Sequence, residues 1–229
     1  MPPMSGADGG HDTRGQRRFR DALTELKQSG CRLLLTGDVE TTVRACESRS
    51  LFGSADGRHR IVGVTDVGDG VVADHLPTSC AVGSSDLDLV RRSAVRSSAS
   101  RAAQGQPAAD STQPFRRRLV DAIAQHRATR TPGPSELRVG VATLRPLLDD
   151  HGLDATRRFV GVVGGETVRS RGMAHFHLGM PSGTTASDAL LHVVDVHVEL
   201  RRARDGTPEH RWTLLNYGEQ TGWLPMDCW

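Results

Sequence analysis

The chain has 229 residues, 37 % of them apolar and 24 % charged, with a formal net charge of +2. That length suffices for one substantial domain, and no run approaches the ~18 consecutive apolar residues of a transmembrane helix, so a membrane span is excluded. Four scattered cysteines (Cys31, Cys46, Cys80, Cys228) without a C-x-x-C pair argue against a zinc ribbon and a disulfide framework, and favour the cytoplasm.

The opening MPPMSGADGGHDTRGQRR has no apolar segment and is not a secretory signal. Residues 1–14 read as a disordered leader, and 15–227 as one domain. Phe19, Ala22, Leu23 and Leu26 mark the apolar face of a helix over 16–29, which Gly30 ends. CRLLLT (31–36) follows, apolar enough for a strand buried on both faces of a parallel sheet. A helix over 40–52 and a strand over 60–66 come next, with a weak strand near 80–82.

Residues 83–113 are rich in Ser, Ala, Arg and Gln and too poor in apolar side chains to offset the entropy of ordering, so they read as a disordered insertion. Order resumes at Pro114, in a first helical turn, with Phe115, Leu119, Ala122 and Ile123 on one face. ELRVGVA (136–142) is a strand, and TLRPLLDDHG a short helix ending at Gly152. Asp154 caps a second helix, which Gly164-Gly165 weakens or breaks. GMAHFHLGM (172–180) is a strand, and Ser187 caps a short helix. VDVHVELRR and HRWTLL close the chain as a strand pair around an Asp205-Gly206 turn. Alternating strands and helices specify an α/β fold of three layers, its central sheet mostly parallel with an antiparallel C-terminal edge.

Gly37, straight after the first strand, stands where a phosphate-binding loop would begin. Such a loop needs G-x-x-x-x-G-K-[ST], whose lysine reaches the β/γ oxygens and whose hydroxyl holds Mg²⁺. Here the turn is GDVETTVR, and the only lysine, Lys27, lies upstream of the strand.

The remaining 28 of 29 basic residues are arginines, nine of them within 91–130 against two aspartates. That tract suits a solubilising linker, or a weak contact with nucleic acid or another acidic surface, although no aromatic residues interleave to stack on bases. His175 and His177 share one face of their strand as candidate ligand-facing residues; a metal would need His192, His197 or Asp195 as well, none at diagnostic spacing, so no metal site is assigned. Asp38, Glu40 and Asp66 fit helix capping better than acid–base work, with Asp38 placed to cap. The small-residue loop Ser182-Gly183-Thr184-Thr185 offers backbone amides for a phosphate but is also ordinary turn material. Trp212 reads as core, Trp223-Leu224-Pro225 as a tail docked on the sheet edge, and Trp229 as exposed.

The series CRLLLTG, SELRVGVATLRPLL, RGMAHFHL and RW-x-L…WLP resembles the core of the RecA/KaiC superfamily. It is similar, more closely, to an uncharacterised family of KaiC-like proteins of halophilic archaea, HTR-like. The resemblance covers most of 16–227 and implies a RecA/KaiC-like fold with nucleotide-binding positions at Gly37, Asp38, Thr41, Thr42 and Thr143. In active relatives the third strand ends in an aspartate followed by serine; this chain has Ala142 and Thr143. Both phosphate–metal elements are thus degenerate, and positioning with charge neutralisation is nearly all of phosphoryl-transfer catalysis. The expectation is a non-hydrolytic, cytoplasmic module that regulates or binds a protein partner, without catalytic residues and without a required cofactor. The alternative is a divergent ATP-binding protein or ATPase using ATP and Mg²⁺.

Overall fold

The computed structural model describes residues 10–55, 57–65, 69–92 and 112–228. The helices are α1 (Gly10–Ser29), α2 (Thr41–Phe52), α3 (Asp69–Asp74), α4 (Gln113–Thr129), α5 (Arg145–Arg169) and α6 (Thr185–Leu191). The strands are β1 (Cys31–Thr36), β2 (His59–Val64), β3 (Leu87–Arg91), β4 (Leu137–Val141), β5 (Met173–His177), β6 (Val196–Arg202), β7 (Pro208–Leu214), β8 (Glu219–Gln220) and β9 (Leu224–Pro225).

One sheet runs β3-β2-β4-β5-β1-β6-β7-β8, with β9 also on β7. From β3 to β6 every pairing is parallel, whereas β6 with β7 and β7 with β8 and β9 are antiparallel. Leu33, Leu34, Leu35, Val139, Val141, Ala174 and Phe176 are almost completely buried, because the inner strands are covered on both faces. On one face, Ala22 and Leu26 of α1 and Val43 and Leu51 of α2 pack on Leu33, Leu35 and Val198. Phe52 and Val72 continue that layer over Val62. On the other face, Phe115 and Leu119 of α4, Phe159 and Val163 of α5 and Leu190 of α6 cover Leu34, Val139 and Phe176. This is the expected α/β sandwich: a mostly parallel central sheet with an antiparallel edge, in a three-layer RecA-like arrangement.

Several boundaries differ from those read in the sequence. The first helix begins at Gly10, inside the expected leader. The expected disordered insertion over 83–113 is overturned at its start, because Leu87–Arg91 pair in parallel with β2 as the edge strand β3; Leu87 packs among Val62, Val64 and Leu76, although its neighbours are polar. Residues 93–111 lie outside the described residues. A short helix, α3, occupies part of the Gly- and Pro-rich stretch, and 80–82 form no strand.

As expected, the helix breaks at Gly152 (φ 76°, ψ 177°), which divides α5 into two parts, but the second part runs on through Gly164-Gly165. Gly164 serves close packing: a Cβ there would lie 2.7 Å from the stem of Arg32, which crosses beneath the helix to Asp195. Ser187 is not the cap of α6. Thr184 is, and Ser187 completes the reciprocal capping box.

The largest correction concerns the cysteines. Cys46 of α2 and Cys228 are joined as a disulfide, while Cys31 and Cys80 are free and buried. Spacing gave no sign of it, since 182 residues separate the partners. The tail that brings Cys228 to α2 docks as expected at Trp223-Leu224-Pro225, with β9 on β7 and the guanidinium groups of Arg201 and Arg211 stacked over the Trp223 ring. Among the described residues, no helix is long and apolar enough to cross a membrane.

Candidate functional site

In open α/β sheets ligands bind beyond the carboxyl ends of the strands, where the connections diverge to opposite faces. Here β1 leads to α2 on one face, while its neighbour β5 leads to α6 on the other, so the divergence lies between β1 and β5.

The β1–α2 turn is closed. Only Gly37, Asp38, Val39 and Glu40 separate strand from helix. Gly37 N–H donates to the Met180 carbonyl at 2.7 Å. At φ 138°, a Cβ on Gly37 would come within 2.3 Å of the Leu200 carbonyl oxygen, so close backbone packing requires this glycine. Glu40, not Asp38, occupies the N-cap of α2, and it makes no side-chain cap. Its carboxylate instead accepts from Arg202, and hydrogen bonds from its own backbone and from Arg202 hold it below the usual carboxylate range. Asp38 and Thr42 are exposed, and the Thr41 hydroxyl accepts from Arg44. Asp66 lies outside the described residues.

His175 and His177 do share a face, with ring centroids 5.6 Å apart. That face is dry: they are 3 % and 1 % exposed, beneath α2. The Ser48 hydroxyl lies 2.7 Å from His177 Nε2 and 2.9 Å from His75 Nδ1, so one ring donates to its oxygen and the other accepts its proton. Burial, then the charge of Arg44, pushes His75 down to about 4. Burial, then His75, brings His175 to about 3, and burial holds His177 well below its ordinary value. Three neutral imidazoles and one hydroxyl, sealed from solvent, knit α2 to the sheet rather than meeting a ligand from bulk water.

Of the metal alternatives, His192 is exposed and the other two are already engaged. His197 Nε2 bonds Thr36 Oγ1 at 2.8 Å, and Asp195 holds Arg32 through both carboxylate oxygens. No group of three His, Cys, Asp or Glu side chains able to hold a metal occurs among the described residues.

What is open at this edge is a groove of about 510 Å³ at the carboxyl ends of β4 and β5. It is lined by Arg44 of α2, Arg92 beyond β3, Thr143 and Gly179 in the loops after β4 and β5, and Arg145, Pro146, Asp149 and Asp150 of α5. Arg92 donates to Asp150 at 2.6 Å, and Arg145 donates to both oxygens of Asp149 at 3.0 Å. The Thr143 hydroxyl accepts the Arg145 backbone N–H. Arg44 donates to Thr41 and reaches over Gly179, where a Cβ would meet its guanidinium at 3.2 Å.

A family model matches this chain over residues 30–200, from just after α1 into β6, so it spans every strand end just described. The chain belongs to DUF7504, a family of unknown function. The comparison with curated proteins finds no match. In this DUF7504 chain, the one expected nucleotide-binding residue that lines the groove is Thr143, with Thr41 joined to it through Arg44.

Sequence reasoning missed Arg44, Arg92, Arg145 and Ser48. With 28 arginines in the chain, no single one stands out, and the composition around Arg92 reads as a solvated tract. In fact its side chain is only 9 % exposed. Elsewhere in that tract Arg117 pairs with Asp121 and Arg127 with Glu166. The usable signal was Thr-x-Arg-Pro after a strand, which announces a helix start at the sheet edge.

Proposed function

We propose that this DUF7504 chain is a non-hydrolytic, KaiC/RecA-like cytoplasmic module that works by binding, as a regulatory or protein-interaction domain. The observation that carries the reading is the four-residue β1–α2 link. A phosphate loop wraps its backbone amides around the β-phosphate over eight residues, G-x-x-x-x-G-K-[ST]. Four residues, with Gly37 N–H already given to Met180 and Glu40 placing a carboxylate at the helix start, leave no such cradle. Ala142, just beyond β4, adds no ligand for Mg²⁺. In a cytoplasmic setting the Cys46–Cys228 pair is one exposed to reducing thiols.

The observation favouring a divergent ATP-binding protein is the arginine groove beside Thr143, since guanidinium groups can replace a lysine as phosphate partners. Calorimetric titration with ATP, with and without Mg²⁺, together with a phosphate-release assay, separates the two. The proposal expects no Mg²⁺-dependent turnover. Turnover that depends on Mg²⁺ and is lost in Thr143→Ala would replace it with the ATPase reading.

A further inference from the structure

We propose that the arginine groove is a metal-independent binding site for a phosphoryl group on a small molecule. The inference rests on the reading of this strand edge as a binding surface rather than a hydrolytic one, and assigns it a ligand class.

Three guanidinium groups converge on the groove from three separate elements: Arg44 from α2, Arg92 from the end of β3, and Arg145 from α5. Two of them carry an unmet demand. The Nε–H groups of Arg44 and Arg92 are both buried and have no hydrogen-bond partner among the described residues. Buried polar groups in native proteins are overwhelmingly paired, so two orphaned donors on arginines that line one cavity call for an acceptor. The Arg92 side chain is only 9 % exposed; among the described residues Asp150 and His151 both engage its Nη2, and Nε stays unmet.

Charge and shape narrow the class. Three arginines against Asp149 and Asp150 leave the lining with one formal positive charge, which suits an anion and disfavours a cation. A volume of about 510 Å³ falls within the range of small-molecule sites. A carboxylate offers two oxygens in one plane. A terminal phosphoryl group offers three in a tetrahedron, matching forks that arrive from three directions. Gly179 leaves room beside the Arg44 fork, and the Thr143 hydroxyl supplies a neutral partner at the rim. The arrangement uses neither the β1–α2 turn nor a metal ligand.

The test is calorimetry and thermal shift at low ionic strength with inorganic phosphate, pyrophosphate, AMP and acetate, each with Mg²⁺ or with chelator. Saturable binding of pyrophosphate or phosphate that exceeds acetate and is unchanged by chelation is the expected result. Comparison of AMP with inorganic phosphate distinguishes a nucleotide source from a free phosphate. Arg44→Gln with Arg145→Gln should weaken binding by about tenfold or more. Arg44→Lys, which keeps the charge but not the fork, should weaken it nearly as far, and circular dichroism confirms that each variant folds. Absence of saturable binding, or binding retained in the folded double variant, overturns the site. Those outcomes leave the non-hydrolytic reading standing, whereas Mg²⁺-dependent turnover would remove that reading and leave the groove.

Discussion

Ser48 Oγ stands 2.7 Å from His177 Nε2, which ties the middle of α2 to the last residue of β5. The same hydroxyl is 2.9 Å from His75 Nδ1, just beyond α3. The sheet and two segments on one of its faces are therefore joined through a single side chain. Removing it strands two buried imidazoles. Ser48→Ala should cost about 1–3 kcal/mol, the desolvation penalty of partners left unsatisfied. Urea unfolding reads this directly, and a midpoint equal to that of the parent protein would show that the network contributes nothing.

The same cluster makes the fold acid-sensitive. His75 and His175 titrate at about 4 and about 3 when folded but near 6.5 when unfolded, and His177 is shifted in the same direction. Below pH 6.5 the unfolded chain therefore binds protons that the folded chain does not, so protons favour unfolding. Stability is fully present above that value and falls as pH drops toward 3, by up to about 1.4 kcal/mol per pH unit for each imidazole. Chemical denaturation at about pH 7.5, 6 and 5, one value above the onset and two below it, measures the slope. His75→Gln should flatten it, and equal stability at all three pH values would contradict the assignment.

Gly140 of β4 lies in register with His175 of β5. A Cβ there would approach Phe52 Cζ at 2.4 Å and His175 Nε2 at 2.6 Å. Gly140→Ala should thus destabilise by about 1–3 kcal/mol through overpacking, despite the better strand propensity of alanine. Gly161 is the control, because its Cβ would meet nothing within 4 Å and it sits in a helix. Gly161→Ala should leave stability unchanged or raise it by up to about 1 kcal/mol. Thermal unfolding of the pair should move in opposite directions.

The Cys46–Cys228 bond closes a loop across 182 residues. On the chain-entropy account a loop of that length stabilises by about 5 kcal/mol. Cys228→Ser should lower the unfolding midpoint accordingly, and reduction should reproduce that shift in the parent protein only. Alkylation after unfolding should modify two cysteines without reductant and all four with it, by mass spectrometry. In the native state Cys31 should resist alkylation even at alkaline pH, because burial pushes its thiol up to about 12. Four modified cysteines without reductant would show the pair to be open.

The layered fold was legible residue by residue because its signals are local. CRLLLT and ELRVGVA are apolar runs that only a doubly covered strand accommodates, and Phe115, Leu119 and Ile123 repeat with the helical period. The strand at Leu87–Arg91 escaped detection for the complementary reason. An edge strand paired along one side only and half-buried needs few apolar residues, and its pairing with β2 is a long-range fact. Likewise His175 and His177 were correctly set on one face, since strand geometry alternates, but which layer would cover that face is decided by the crossover of α2.

Absence of a phosphate loop could be read from residue types alone: a loop without lysine or a second glycine cannot form the motif, whatever surrounds it. The arginine groove and the Cys46–Cys228 bond could not. Arg44, Arg92 and Arg145 lie far apart in the chain and meet only because β1, β3 and β4 end at one edge of the sheet. Periodicity records how each segment buries its own side chains, whereas a site is made by segments whose order in space the sheet topology sets.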